Sequence, residues 1–200
     1  MEKTSYSIFT TAGHRDSYNK IYSLNLKINN APISIDPYPK LLGITLDPKL
    51  SFTQHVQNII EKATPRINLI RILKSKNNDK KFLVNIYKIL IRSLIDYSDL
   101  VIATTKSLAS EPLQKLQNRA LRICLNTPLF TRTTTIHNIA NVPMVKDRAF
   151  QLSKQYLSKA LINNSLIKST VDDFLTNKEK YEGKSVIGRK PILTPLSILL

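Results

Sequence analysis

The chain lacks several of the residue groupings on which common metal and phosphate sites are built. Its single cysteine, Cys124, excludes a disulfide framework and a cysteine-based zinc site. The three histidines, His14, His55 and His137, are far apart and share no metal-ligand spacing. Only 4 glycines occur among 200 residues and none are grouped, so there is no glycine-rich phosphate loop.

Long uncharged hydrophobic runs are also missing. The most apolar stretch, residues 87–105, is interrupted by four charged residues: Lys88, Arg92, Asp96 and Asp99. The first residues, MEKTSYSIFTTAGHRD, contain no apolar region of the kind found in signal peptides. The sequence therefore predicts a soluble, intracellular protein that does not span a membrane.

Acidic residues are scarce, with 14 Asp and Glu against 30 Lys and Arg, which gives a net charge of +16. The excess is uneven: residues 1–50 carry 6 cations and 4 anions, residues 51–125 carry 13 and 5, and residues 126–200 carry 11 and 5. A field of this sign attracts polyanions. Nucleic acid is the first candidate partner and an anionic membrane surface the second, while incidental basicity remains a third interpretation.

Residues 1–50 carry the pattern of β-strands. Alternation and β-branched or aromatic residues predict strands over residues 5–11, 22–29, 33–35 and 40–47. Gly43 inside the last one suggests a bulge or a close approach by another backbone. Three or four strands are too few to be stable alone, so they either pack on the following helices or belong to a larger sheet.

From residue 51 onward apolar residues recur at helical spacing. The first stripe consists of Val56, Ile59, Ile60, Ala63, Ile67, Ile70 and Leu73. Pro65 within it predicts a kink or a split, and Asn78 or Asp79 can cap the next helix. A third helix runs through Leu113 and Leu121, and a fourth covers residues 144–163. The predicted fold class is α+β, mainly α, with a small antiparallel β unit followed by a helical bundle.

Basic side chains decorate these predicted helices. Those on the first and third helices are Arg66, Arg71, Lys74, Lys115, Arg119 and Arg122. The last three share one face, and the opposite face carries Leu116, Ala120 and Ile123. This cationic face is either an ordinary solvated surface or a ridge that follows a phosphate backbone. Arginine suits the second role because its planar guanidinium can contact two phosphate oxygens at once.

One adjacent carboxylate pair, Asp172-Asp173, is a candidate metal site. Paired aspartates can hold two magnesium ions for phosphoryl transfer. Here the pair follows a predicted helix and is interpreted instead as the start of a further helix, where acids favour the dipole.

Five segments in order resemble the reverse transcriptase of non-LTR retrotransposons of the jockey-like kind. They are EKTSYSIFT, KLLGITLDPKLSFTQHVQNI, LVNIYKILIRSLIDYSDLVI, LQKLQNRALRICLN and HNIANVPMVKDRA. The segments run from residue 2 to residue 149, and the resemblance as a whole covers roughly residues 2–160. The resemblance implies that residues 1–50 are the end of a palm with a primer-grip-like hairpin at Leu42 and Gly43. It also implies that residues 51–163 form a thumb and connection, with residues 164–200 a poorly defined tail. The family usually has tyrosine where this chain has Leu41.

The same resemblance places the catalytic aspartates on palm strands upstream of EKTSYSIFT. We therefore expect an RNA-directed DNA polymerase as the parent protein, with no polymerisation by this chain alone. No cofactor is expected in this chain, and magnesium only in the full-length polymerase. The implied partners are an RNA–DNA hybrid or other nucleic acid and the N-terminal fingers and palm of the same polyprotein, with no membrane partner. The implied compartment is the nucleus. Two alternatives stay open: a stand-alone basic helical module that binds nucleic acid, and a helical protein-interaction module with incidental charge.

Overall fold

A computed structural model describes residues 4–10, 24–98, 101–102 and 107–176. The strands are β1 Ser5–Tyr6, β2 Lys27–Ile28, β3 Ala31–Pro32, β4 Ser34–Ile35, β5 Lys40–Leu41 and β6 Ile44–Thr45. The helices are α1 Thr53–Lys76, α2 Lys80–Tyr87, α3 Ser93–Asp96, α4 Ser107–Leu125, α5 Thr133–Ala140, α6 Val145–Asn163 and α7 Ser165–Thr176. A single π-helical turn, Lys88–Arg92, joins α2 to α3. The predicted α+β, mainly α class is confirmed.

The β unit is smaller than the sequence pattern predicts. Three pairs of strands are present in the described residues, and each pair is two residues long. β2 pairs with β3 and β5 with β6 in antiparallel fashion, whereas β1 pairs with β4 in parallel, with Ser5 opposite Ser34. The prediction of an antiparallel unit is therefore wrong for β1 and β4. Residues 11–23, which include the end of the predicted strand 5–11 and the start of the predicted strand 22–29, lie outside the described residues.

The core lies between the helices. α4 packs against α1 and α2, and the buried side chains follow the predicted apolar stripes. Ile67 and Ile70 of α1, Leu83 of α2, and Leu113 and Leu121 of α4 are all completely buried. Burial of each of these large side chains removes apolar surface from water and so contributes to the hydrophobic stabilisation of the bundle.

Helix α1 is continuous through Pro65. A proline inside a helix removes one backbone hydrogen bond and crowds the carbonyl four residues before it. The predicted split does not occur, because Ala63, Ile67 and Ile70 on both sides of the proline are anchored in the same core. The predicted cap of the next helix is confirmed, since the Asp79 carboxylate accepts a hydrogen bond from the Lys81 N–H.

The tail predicted to be poorly defined, residues 164–200, contains helix α7, and residues 177–200 lie outside the described residues. Asp172 and Asp173 lie near the end of α7 and are exposed, so the predicted position at a helix N-terminus is wrong. Within the described ranges, no group of three or more His, Cys, Asp or Glu side chains is arranged to hold a metal ion.

Candidate functional site

Five of the six singled-out cations line one groove. Arg71 and Lys74 come from the end of α1, and Lys115, Arg119 and Arg122 come from α4. The groove has a volume of about 460 Å³, and its other lining residues are Asn118, Ile123, Asn126, Thr127 and Leu129. Helical spacing explains the α4 contribution, because residues three and four apart lie on one face. We call this surface the basic groove.

The basic groove has no acidic residue among its lining residues. The hydrogen bonds of its cations are made to neutral oxygens: Lys74 Nζ donates to Asn126 Oδ1 (2.6 Å), Arg71 to Asn68 Oδ1 (3.2 Å) and Arg122 to the Thr131 carbonyl (3.0 Å). In the part of the chain that the structure describes, salt bridges involve Arg92 and Arg148 with Asp96 and none of the groove cations. Their positive charges therefore add without local neutralisation.

The sixth cation, Arg66, lies elsewhere. Its Nη1 donates a hydrogen bond of 2.6 Å to the Leu90 carbonyl in the π turn, and it is only partly exposed. Arg66 thus ties α1 to the neighbouring helix. Ile123 also differs from the sequence interpretation, which set it opposite the basic face. It lines the basic groove while packing partly against the core.

Sequence reasoning missed the polar residues of the groove near the end of α4. Asn126 adopts a left-handed conformation (φ 56°), and the Thr127 N–H donates to the Arg122 carbonyl (3.1 Å) while the Asn126 N–H donates to the Ile123 carbonyl (3.4 Å). This is a Schellman arrangement, and asparagine after an apolar helical stripe is its sequence signal. It turns the chain so that Thr127 and Leu129 border the groove.

Leu42 and Gly43 form the turn of the β5–β6 hairpin. Both have positive φ, 47° and 80°, as a two-residue type I′ turn requires. The Tyr97 hydroxyl donates to the Leu42 carbonyl (2.5 Å), and a Cβ on Gly43 would lie 3.4 Å from the Tyr97 ring. Gly43 therefore accommodates an aromatic side chain rather than the bulge or backbone contact predicted from sequence. The Leu42 side chain is 81% exposed.

Asp47 fixes the segment between this hairpin and α1. Its side chain is buried, and Oδ1 accepts hydrogen bonds from the N–H groups of Lys49 (3.1 Å) and Ser51 (3.0 Å). Its Oδ2 accepts one from the Ser51 hydroxyl (3.0 Å). These bonds hold the tight turn that lets the chain reverse from β6 into the start of α1.

His55 of α1 links the hairpin to the segment that follows α3. Its Nδ1 accepts a hydrogen bond from the Thr45 N–H (3.2 Å), so Nε2 carries the proton and donates to the Ser98 hydroxyl (2.7 Å). Burial of the ring, with a smaller contribution from the charge of Lys62, lowers the pKa of His55. The neutral form is thus the one that the folded chain uses.

We expect acidification to destabilise the chain partly through His55. Because the folded-state pKa lies below the ordinary value of 6.5, the unfolded chain binds more protons as pH falls through that value. The urea midpoint should therefore be lower at about pH 5.5 than at about pH 7.5, and the difference should shrink in His55→Gln. An undiminished acid dependence in this variant would assign the effect to other groups.

In the described ranges, no helix combines the length and apolarity needed to cross a membrane.

Comparison with known proteins gives three similar chains. The match to "RNA-directed DNA polymerase from mobile element jockey" of Drosophila melanogaster is 28% identical over 130 residues, 64% of this chain. "Probable RNA-directed DNA polymerase from transposon BS" of Drosophila melanogaster is 24% identical over 130 residues, and the jockey protein of Drosophila funebris 27% over 133 residues.

Each of these matches covers 14% of the relative, so the chain corresponds to a small part of those proteins. No protein-family model matches the chain, and no solved structure matches it. All three relatives are named as RNA-directed DNA polymerases of a mobile element or transposon, which is the kind of protein that the five ordered segments resemble. The chain is therefore related to the RNA-directed DNA polymerases of jockey-like mobile elements.

Proposed function

We propose that the chain is the part of a retroelement reverse transcriptase that follows its catalytic palm, and that the basic groove binds the phosphate backbone of an RNA–DNA hybrid. The observation that carries this proposal is the groove itself: five cations from two helices, with no carboxylate among the lining residues. The names of the three relatives supply the class of nucleic acid, because an RNA-directed DNA polymerase makes an RNA–DNA hybrid.

Under this proposal the two helices have separate roles on separate faces. The buried faces of α1 and α4 hold the bundle together through Ile67, Ile70 and Leu121. The opposite edges present cations to the nucleic acid. Arginine and lysine contacts with phosphate position a duplex without reading its sequence, so we expect binding that is strongly dependent on salt and weakly dependent on sequence.

Polymerisation and magnesium binding would belong to the longer polymerase, whose palm strands would supply the aspartates. Leu42 and Gly43 would present the hairpin to the growing DNA end in that longer protein. This role is supported by the exposed Leu42 side chain and by the hydrogen bond from the Tyr97 hydroxyl to the Leu42 backbone carbonyl, which holds the turn.

The test is a titration of a fluorescent RNA–DNA hybrid at several salt concentrations with the wild type and with Lys115→Gln, Arg119→Gln. Both residues are exposed groove cations, and neither forms a salt bridge in the described chain. We expect the slope of log affinity against log salt to become shallower by about 1 to 2 and the affinity to fall about tenfold. Arg122 is left intact because it also holds the Thr131 carbonyl.

The matched control is Lys154→Gln, Lys159→Gln, which removes the same two charges from exposed positions on α6. It should keep the wild-type slope. Equal losses in both double variants would mean diffuse charge attraction, and would contradict a defined groove. Absence of hybrid binding at physiological salt in the wild type would favour the protein-interaction alternative.

A further inference from the structure

A tight turn beside the basic groove exposes two large apolar side chains. The Thr131 N–H donates to the Pro128 carbonyl (3.1 Å), so Leu129 and Phe130 occupy the two corner positions of the turn. Their side chains are 87% and 88% exposed, the highest values among the exposed large hydrophobic residues. Turn corners usually carry Gly, Asn, Asp or Ser, so neither the turn geometry nor the core accounts for this Leu-Phe pair.

The turn is held firmly against the groove. Arg122 Nη2 donates to the Thr131 carbonyl (3.0 Å), and Lys74 Nζ donates to Asn126 Oδ1 (2.6 Å) at the other end of the loop. Leu129 itself lines the basic groove. Leu129 and Phe130, which form an apolar tip, are therefore held next to five cations before a ligand binds. This preorganisation lowers the conformational entropy lost on binding.

We propose that the Leu129–Phe130 tip is a stacking site for an unpaired base whose phosphates lie in the basic groove. The inference rests on the proposed function and specifies which part of the nucleic acid the groove edge receives. An occupant must combine negative charge with a flat apolar surface at short range, and a nucleotide does both. Aromatic side chains beside cationic grooves are the means by which proteins hold single strands without sequence preference.

An unpaired base fits this site better than a base inside a duplex. In a duplex both faces of an internal base are already stacked, so a side chain at a turn corner has no face to contact. An anionic membrane surface would also satisfy apolar and cationic groups together. The groove favours the nucleotide, because its cations line a concave cavity of about 460 Å³ rather than a flat rim around the tip.

The experiment uses the full chain, which contains no tryptophan, so that Phe130→Trp introduces a single fluorescent reporter at the tip. Titration with single-stranded oligothymidylate should quench its emission through base stacking. Phe130→Ala and Phe130→Leu should weaken oligothymidylate binding about tenfold, Phe130→Tyr should retain it, and a blunt RNA–DNA hybrid should change by less than about twofold. Tyr156→Ala removes another exposed aromatic ring, on α6, and should change neither ligand.

Several results would overturn the stacking site. They are full binding by Phe130→Ala, retention by Phe130→Leu, and equal losses for oligothymidylate and hybrid. Emission that shifts to the blue with anionic phosphatidylserine vesicles but is not quenched by oligothymidylate would assign the tip to membranes. If the Lys115, Arg119 variant weakens hybrid binding while the Phe130 variants change nothing, only the stacking site fails. If the wild type binds neither nucleic acid, the proposed function fails as well.

Discussion

Leu121→Ala should lower the free energy of unfolding by about 2 to 5 kcal/mol, a large part of the stability of a domain of this size. Leu121 is completely buried on α4, the helix that packs against α1 and α2. Truncation removes apolar contacts and leaves a cavity that surrounding helices fill only partly. With a slope of about 2 kcal/mol per molar urea, the midpoint should fall by about 1 to 2.5 M.

Leu69→Ala is the matched control, because it is the same substitution at a helical position of α1 that is 44% exposed. We expect a change within about 0.5 kcal/mol there. Similar losses at both positions would contradict the packing described for α4. If folded Leu121→Ala still binds the hybrid, then binding depends on the charge of the groove and not on the stability of the bundle.

Asp47→Ala should be the most destabilising change outside the helical core, by about 2 to 3 kcal/mol. The buried carboxylate accepts from two backbone N–H groups and one hydroxyl, and alanine leaves these donors in a partly buried turn without that acceptor. Hydrogen bonds to a charged group are also stronger than neutral ones. The free energy of unfolding from urea titrations measures the loss.

Asp47→Asn separates the two contributions in that prediction. The amide retains one oxygen that can accept from the Lys49 and Ser51 N–H groups, but it loses the charge and the second oxygen, to which the Ser51 hydroxyl donates. We expect it to lose about half as much stability as alanine. If Asp47→Ala were as stable as the wild type, the turn before α1 would be held by its backbone alone.

The part of the basic groove that could be predicted from the sequence is the cationic face of α4, because helix geometry alone determines which of its side chains share a face. Lys115, Arg119 and Arg122 lie on one face because four and three residues separate them along α4. Arg71 and Lys74 could be placed on α1 in the same way, but their position opposite α4 depends on how the two helices pack. Spacing along the chain carries no information about that.

Arg66 shows what spacing cannot reveal. It has the same helix and the same chemistry as Arg71, yet its guanidinium is committed to the Leu90 carbonyl. Leu129 and Phe130 were missed for the opposite reason, because apolar residues in a sequence are normally assigned to a core. Their exposure follows from the left-handed Asn126 and the hydrogen-bonded turn that begins at Pro128.

The π turn at Lys88–Arg92 determines the directions in which the side chains after it project from the same helical segment. An α-helical residue advances the chain by about 100°, so removal of one residue here would turn the next side chains through about that angle. Three contacts depend on the present phase: Asp96 with Arg148, Tyr97 with the Leu42 carbonyl, and Ser98 with His55. The number of residues between α2 and Asp96 is therefore constrained more tightly than the identities of those residues. A one-residue deletion there would need a compensating insertion before Asp96 to preserve the contacts of Tyr97 and Ser98.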